Sequence, residues 1–156
     1  MIDRVDHTRL VPVGRMVGED DEETDLLKED LEASRNYLAG FRWCRAIRNQ
    51  YYGLGIGGVV CVFLFEIEGD PGVDDVLWVV TGDLPPAYLV TDAAPNPLEA
   101  LRLYCGLMED WIDAVRRKGD LSEVFPVAAS PNQENANQLE IRVTQLRESI
   151  IPAFEE

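Results

Sequence analysis

Basic charge, histidine and metal-type cysteine spacing are what this sequence has least of. Lys and Arg number 14 against 29 Asp and Glu, for a formal net charge of −15 and a pI near 4.3. A surface this acidic repels phosphate backbones and anionic headgroups, so no nucleic-acid or membrane-surface binding is expected. Long apolar runs are missing too. The longest, residues 59–65, falls far short of the roughly 20 residues that span a bilayer. A basic segment followed by an apolar one is absent from the N-terminus, so no secretory signal is expected and the cytoplasm is the expected location.

The three cysteines, Cys44, Cys61 and Cys105, are odd in number, widely spaced and set among apolar neighbours. That is the pattern of buried free thiols in a reducing compartment. A catalytic thiol needs an imidazole partner, and His7 is the one histidine in the chain. CxxC, HExxH and EF-hand spacings do not occur. No metal site, cofactor or catalytic residue is therefore assigned, and neither Ser-His-Asp nor Cys-His chemistry is expected.

What is present is one domain's worth of patterned apolar sequence, 156 residues with 46% hydrophobic, enough for a single core. Residues 1–23 read as an acidic, mobile tail with one short edge strand near Leu10 to Val13. Residues 24–156 read as a single α+β domain. Nine acids and one lysine fall between Glu19 and Glu32 and supply −8 of the net charge. Thr24 can cap a helix whose acidic first turn suits the positive end of the helix dipole. Leu27, Leu31, Ser34, Leu38 and Phe41 step by four and three, which predicts a helix over residues 25–49.

An antiparallel meander of three strands is predicted next. Residues 58–68 and 76–81 are rich in β-branched and aromatic side chains, and Gly69-Asp70-Pro71-Gly72 between them is turn chemistry. Residues 87–91 make a shorter third strand after Leu84-Pro85-Pro86. The first two strands are apolar on both faces, so each needs cover on two sides. Asn96-Pro97-Leu98-Glu99 and Ser130-Pro131-Asn132-Gln133 are helix starts. They open a helix ending near Gly119 and a second with the stripe Ala136, Leu139, Val143, Leu146 and Ile150. The expected class is α+β: an N-terminal helix, a three-stranded antiparallel meander and two C-terminal helices.

Several groups qualify as candidate sites, each against a plainer structural role. Gly53-Leu54-Gly55-Ile56-Gly57-Gly58 matches the dinucleotide-binding glycine pattern in letters. Here, however, a helix precedes it and a strand follows, the reverse of what holding a pyrophosphate requires. Glu66 with Glu68 and Asp110 with Asp113 are paired carboxylates, most simply solvated; the second pair is the first place to look for calcium or magnesium. Asp83 sits where the middle strand stops and can face a cleft, or can simply be a turn residue. Trp43 with Arg42 and Arg45 sets three large groups beside an apolar stripe, and Trp and Arg are favoured interface anchors. Packing is the plainer role for Trp43.

The run Leu77-Trp78-Val79-Val80-Thr81-Gly82-Asp83-Leu84-Pro85, with Leu98-Glu99-Ala100-Leu101, Tyr104, Met108-Glu109-Asp110-Trp111 and Pro126-Val127, resembles a small bacterial family of unknown function. The resemblance spans about residues 41–154 and implies a bacterial cytoplasmic protein, with no activity attached.

The expectation is a non-enzymatic protein-interaction module, immunity-, chaperone- or regulator-like. The order helix, strands, helices is loosely similar to that of type III secretion chaperones, a fold-level analogy only. The rival is a small enzyme or ligand binder with a pocket around Asp83, Tyr88 and Tyr104. Candidate binding residues are thus Arg42, Trp43, Arg45, Asp83, Tyr88 and Tyr104. Either the three helices divide between the two sheet faces or a second copy covers what remains, and the apolar strands favour a homodimer.

Overall fold

A computed structural model describes residues 5–155, the side chain of His7 excepted. Its role as a partner for a reactive thiol therefore lies outside the described residues. The order is β1 (Val11–Pro12), α1 (Asp21–Ala39), β2 (Cys44–Ile56), β3 (Val60–Gly69), β4 (Val76–Gly82), β5 (Ala87–Val90), α2 (Pro97–Arg116) and α3 (Gln133–Gln145). A wide helical turn, Leu146–Ile150, carries α3 into α4 (Ile151–Phe154). The sheet runs β1-β2-β3-β4-β5, antiparallel throughout. The α+β class and the antiparallel sheet stand as expected, but the sheet has five strands rather than three.

The additional long strand, β2, replaces the second half of the expected 25–49 helix. α1 stops at Ala39, and the chain turns back at once, with Phe41 N–H on the Leu38 carbonyl and Cys44 N–H on the Phe41 carbonyl, both at 3.1 Å. β2 hides from a period-two reading because its register against β3 slips at three places, between Cys44 and Ala46, Ile47 and Asn49, and Tyr52 and Leu54. Each slip moves the following side chains to the other face, so alternation is lost. The glycine run closes the β2–β3 hairpin instead of linking helix to strand. The other new strand, β1, is the short edge strand expected near Leu10.

Helices cover both faces of the sheet. On one side, Leu27 and Leu38 of α1 pack with Cys61, Phe63, Phe65, Leu77 and Val79. On the other, Leu101, Tyr104 and Met108 of α2 and Leu139 of α3 pack with Val62, Leu64, Trp78 and Val80. The centre of β3 is wholly buried, which explains its unbroken apolar run. The helices thus divide between the faces, the first of the two expected alternatives, and the described residues leave no sheet face without a helix on it.

The boundary drawn at residue 23 falls inside α1, which begins at Asp21 with Asp20 as its cap: the Asp20 carboxylate accepts from Glu23 N–H at 2.8 Å. Thr24 lies in the first turn and accepts from Gly18 N–H at 2.8 Å. Upstream, Val5 and Met16 are buried in the two halves of the core. Asn96 and Asn132 cap α2 and α3 by accepting from Glu99 and Asn135 N–H, at 2.9 and 2.8 Å.

Candidate functional site

Three places gather functional side chains. The first follows from the abrupt end of α1. The tight turn after Ala39 places Phe41 and Trp43 on one side of the chain, their rings stacked with centroids 4.9 Å apart. β5 brings in Tyr88, edge-on to Phe41 at 5.2 Å and to Trp43 at 5.1 Å. Tyr37, in the last turn of α1, meets Phe41 at 5.2 Å, and Phe125 from the α2–α3 connection meets Tyr88 at 6.4 Å.

Five aromatic rings therefore form one continuous strip, none of them fully buried. Tyr88 divides two surface depressions. One, of about 200 Å³, is lined by Trp43, Val73, Asp74, Leu77 and Val90; the other, of about 310 Å³, by Tyr37, Phe41, Pro86, Phe125 and Pro126. Burial pushes the Tyr37 phenol up to about 12, and the Tyr88 phenol adds to this, while a backbone hydrogen bond from Tyr88 acts the other way. That hydroxyl keeps its proton at neutral pH, so it is no general base.

The structure brings together part of the expected set. Trp43 and Tyr88 touch, and Arg42 and Arg45 flank Trp43 in sequence. Arg45 Nε donates to Asp70 Oδ1 at 2.7 Å, and Asp70 N–H donates to the Trp43 carbonyl at 3.0 Å, fastening the β3–β4 turn to this corner. Arg42 is exposed and makes no hydrogen bond or ion pair with the described residues. Tyr37, Phe41 and Phe125 were missed as site residues. The i, i+4 pair Tyr37–Phe41 was a readable signal; the place of Phe125 depends on tertiary folding.

Asp83, Tyr88 and Tyr104 do not share a pocket. Asp83 does reach a cleft, of about 150 Å³ lined by Leu84, Pro85, Trp111 and Leu139, but Arg142 of α3 claims it. Arg142 Nη2 meets Asp83 Oδ2 at 3.2 Å, and its Nε donates to the Asp83 carbonyl at 2.6 Å. Tyr88 packs with the core on the opposite side of the sheet. Tyr104 is fully buried, its hydroxyl donating to the Pro85 carbonyl at 2.6 Å, and burial drives its ionisation far up. Tyr104 is a core residue. A cleft of this size lies below the ~300–1,000 Å³ of small-molecule sites.

The third place is a buried polar cluster between α1 and the sheet. Asp30 Oδ2 accepts from Gly58 N–H at 3.0 Å and from the Cys61 thiol at 3.1 Å. The Ser34 hydroxyl donates to the Asp30 carbonyl at 2.9 Å, and the Thr81 hydroxyl, 2.7 Å from Ser34 Oγ and 3.3 Å from the same carbonyl, shares its single proton between the two. Gly58 holds a φ of +78°, which suits a residue without Cβ. A Cβ on Gly57 would come within 2.7 Å of Leu26, so the hairpin tip and α1 touch through glycine. Burial, reinforced by the Asp30 carboxylate, drives the Cys61 thiol far above its usual range. A thiol so held is no nucleophile at neutral pH, and the cluster works as a fastener for α1.

The other paired carboxylates singled out in the sequence lie on the surface. Glu66 accepts from Asn49 at 3.0 Å and Tyr51 at 3.2 Å, and Glu68 pairs with Arg48. Asp110 and Asp113 are exposed on α2 beside Arg116, which grips Glu140 with both Nη atoms at 2.8 and 2.9 Å. Among the described residues no group of three His, Cys, Asp or Glu is placed to hold a metal ion. No helix among them is long and apolar enough to cross a membrane.

No protein-family model, curated protein or solved structure matches the chain.

Proposed function

We propose that this is a non-enzymatic protein-interaction module of the cytoplasm, immunity-, chaperone- or regulator-like, whose contact surface is the strip Tyr37, Phe41, Trp43, Tyr88 and Phe125. The observation that carries the reading is the strip itself. This fold buries aromatic rings fully where it needs core, as with Phe63, Phe65, Trp78 and Tyr104. At the corner between α1 and β5 it instead keeps five rings in contact at the surface. Rigid aromatic side chains that are already packed lose little entropy on binding, which makes them effective anchors.

With helices on both sheet faces, a second copy of the chain could use this strip, a sheet edge or an outer helix face such as that of α1. The test is affinity capture from native cytosol with the wild type and with a Trp43→Ala/Tyr88→Ala variant of matched thermal stability. A stoichiometric partner held by the wild type and lost by the variant supports the reading. Equal capture by both proteins places the interface elsewhere and overturns it.

A further inference from the structure

We infer that the strip takes a proline-rich, basic segment of its partner in the extended polyproline II conformation. This inference rests on the interaction reading above and names the ligand chemistry.

Two observations narrow the occupant. Phe41, Trp43 and Tyr88 form a closed triangle with sides of 4.9, 5.2 and 5.1 Å. A cation held by an aromatic cage sits within ~6 Å of each ring centre, and rings already in contact leave no room between them. The strip is a surface to lie on, not a cage. Strand addition at β5 is disfavoured too. That strand has four residues, which offers an added strand a short row of backbone partners.

A polyproline II segment meets neither obstacle. It has no internal hydrogen bonds, repeats every three residues over ~9 Å and packs its rings on aromatic grooves. Ring-to-ring steps of 6.4 and 5.1 Å carry the strip from Phe125 through Tyr88 to Trp43, a reach of that order. The two depressions on either side of Tyr88 each offer a place for one apolar residue of the ligand. Such a ligand also needs donors for its bare carbonyls. The Trp43 indole N–H and the Tyr88 hydroxyl have no hydrogen-bond partner among the described residues, and both groups belong to the strip.

Charge selects within that class. Asp74 lines the depression beside Trp43, is exposed, and has no ion-pair partner among the described residues. With a net charge of −15 on the chain, a basic ligand is drawn in and an acidic one repelled. Asp74 is the acidic group that lines this depression, so one basic residue next to the prolines is the charge the site selects.

Amide shift mapping of the full-length protein tests this with three synthetic peptides. The first carries proline at every third position and one arginine, the second replaces the prolines by alanine, and the third replaces the arginine by glutamine. The expected result is shifts concentrated at residues 37–43, 72–75, 86–90 and 125–128 with the first peptide, and binding at least about tenfold weaker with the other two. Asp74→Asn should weaken the arginine peptide and leave the glutamine peptide unchanged. Trp43→Ala should lose both, while Trp43→Phe, which keeps the packing, should bind more weakly than wild type through loss of the indole N–H.

Equal binding of the alanine peptide overturns the inference. So does an absence of shifts, or concentration-dependent shifts at these residues without peptide, which would assign the strip to a second copy. If the proline peptides fail while the wild type still captures a partner that Trp43→Ala/Tyr88→Ala loses, the ligand chemistry is wrong and the interaction reading stands. If capture is also indifferent to the double substitution, both fall.

Discussion

Replacing Asp30 by alanine should loosen α1 from the sheet, and the structure sets the size of the effect. Asp30 is 9% exposed, and its carboxylate accepts two hydrogen bonds, from Gly58 N–H at 3.0 Å and the Cys61 thiol at 3.1 Å. A hydrogen bond to a charged group contributes ~1.5–3 kcal/mol, and a thiol donor less than an amide. Against this, alanine relieves the desolvation of a buried carboxylate and favours the helix by a few tenths of a kcal/mol. The bonds from Ser34 and Thr81 go to the Asp30 backbone carbonyl and survive the change. The net loss is about 1.5–3 kcal/mol, which lowers the Tm of a chain of this length by about 4–10 °C. Asp30→Asn, which keeps one acceptor oxygen without the charge, should fall between. Calorimetry measures the midpoint, and amide exchange at Gly58 reports the bond itself, expected to be faster in the alanine variant. An unchanged midpoint with unchanged Gly58 protection would refute the claim that this contact fastens α1.

Alkaline conditions should destabilise the fold in a defined window. The Tyr37 phenol is held up to about 12 against 10.0 for the free group, so the unfolded chain releases this proton first. Its stabilisation is full below about pH 10 and is lost as pH rises towards 12; Tyr52 and Tyr104 act in the same direction. Midpoints followed from about pH 8 upward, together with tyrosinate absorbance, should show these phenols ionising on unfolding. Lys118 holds a φ of 53° at the end of α2, in the left-handed region that favours glycine; Lys118→Gly should raise stability by roughly 0.5–1 kcal/mol in denaturant titration. Deleting residues 1–19 removes the buried side chains of Val5 and Met16 and strand β1, and should lower the midpoint by several degrees; an unchanged midpoint would show that this packing adds nothing.

The sequence was most legible where period and cap agreed. Asn96-Pro97 starts α2 as read, the signal Ser130-Pro131-Asn132-Gln133 marks the start of α3 although its cap is Asn132 and not Ser130, and the stripe Ala136, Leu139, Val143, Leu146 and Ile150 is buried throughout. The doubly apolar strands 58–68 and 76–81 mark β3 and β4, covered on both faces. β2 was not legible, because three register slips spread its apolar side chains over both faces and Arg45, Arg48 and Asn49 point to solvent. In such a segment helical spacing continues by accident past the true helix end at Ala39. Ser34 lay in the apolar stripe of α1, but Asp30 reads from sequence as one more acid of a solvated run, although it is buried; what hid the role of both was that their partners, Gly58, Cys61 and Thr81, are distant in sequence. At the candidate site Trp43, Tyr88 and Arg42 could be singled out one at a time. The meeting of Tyr88 with Phe125 required β5 and the α2–α3 connection to be in place.

Site-specific photo-crosslinking in the native cytosol tests the central claim most directly. A photoreactive phenylalanine analogue is placed either at Tyr88, in the strip, or at Ile141, which is 67% exposed on α3, across the sheet from the core that Tyr88 packs against. The account predicts one discrete protein adduct from position 88 and none from position 141. Adducts from position 141 alone, or the same adducts from both positions, would contradict it.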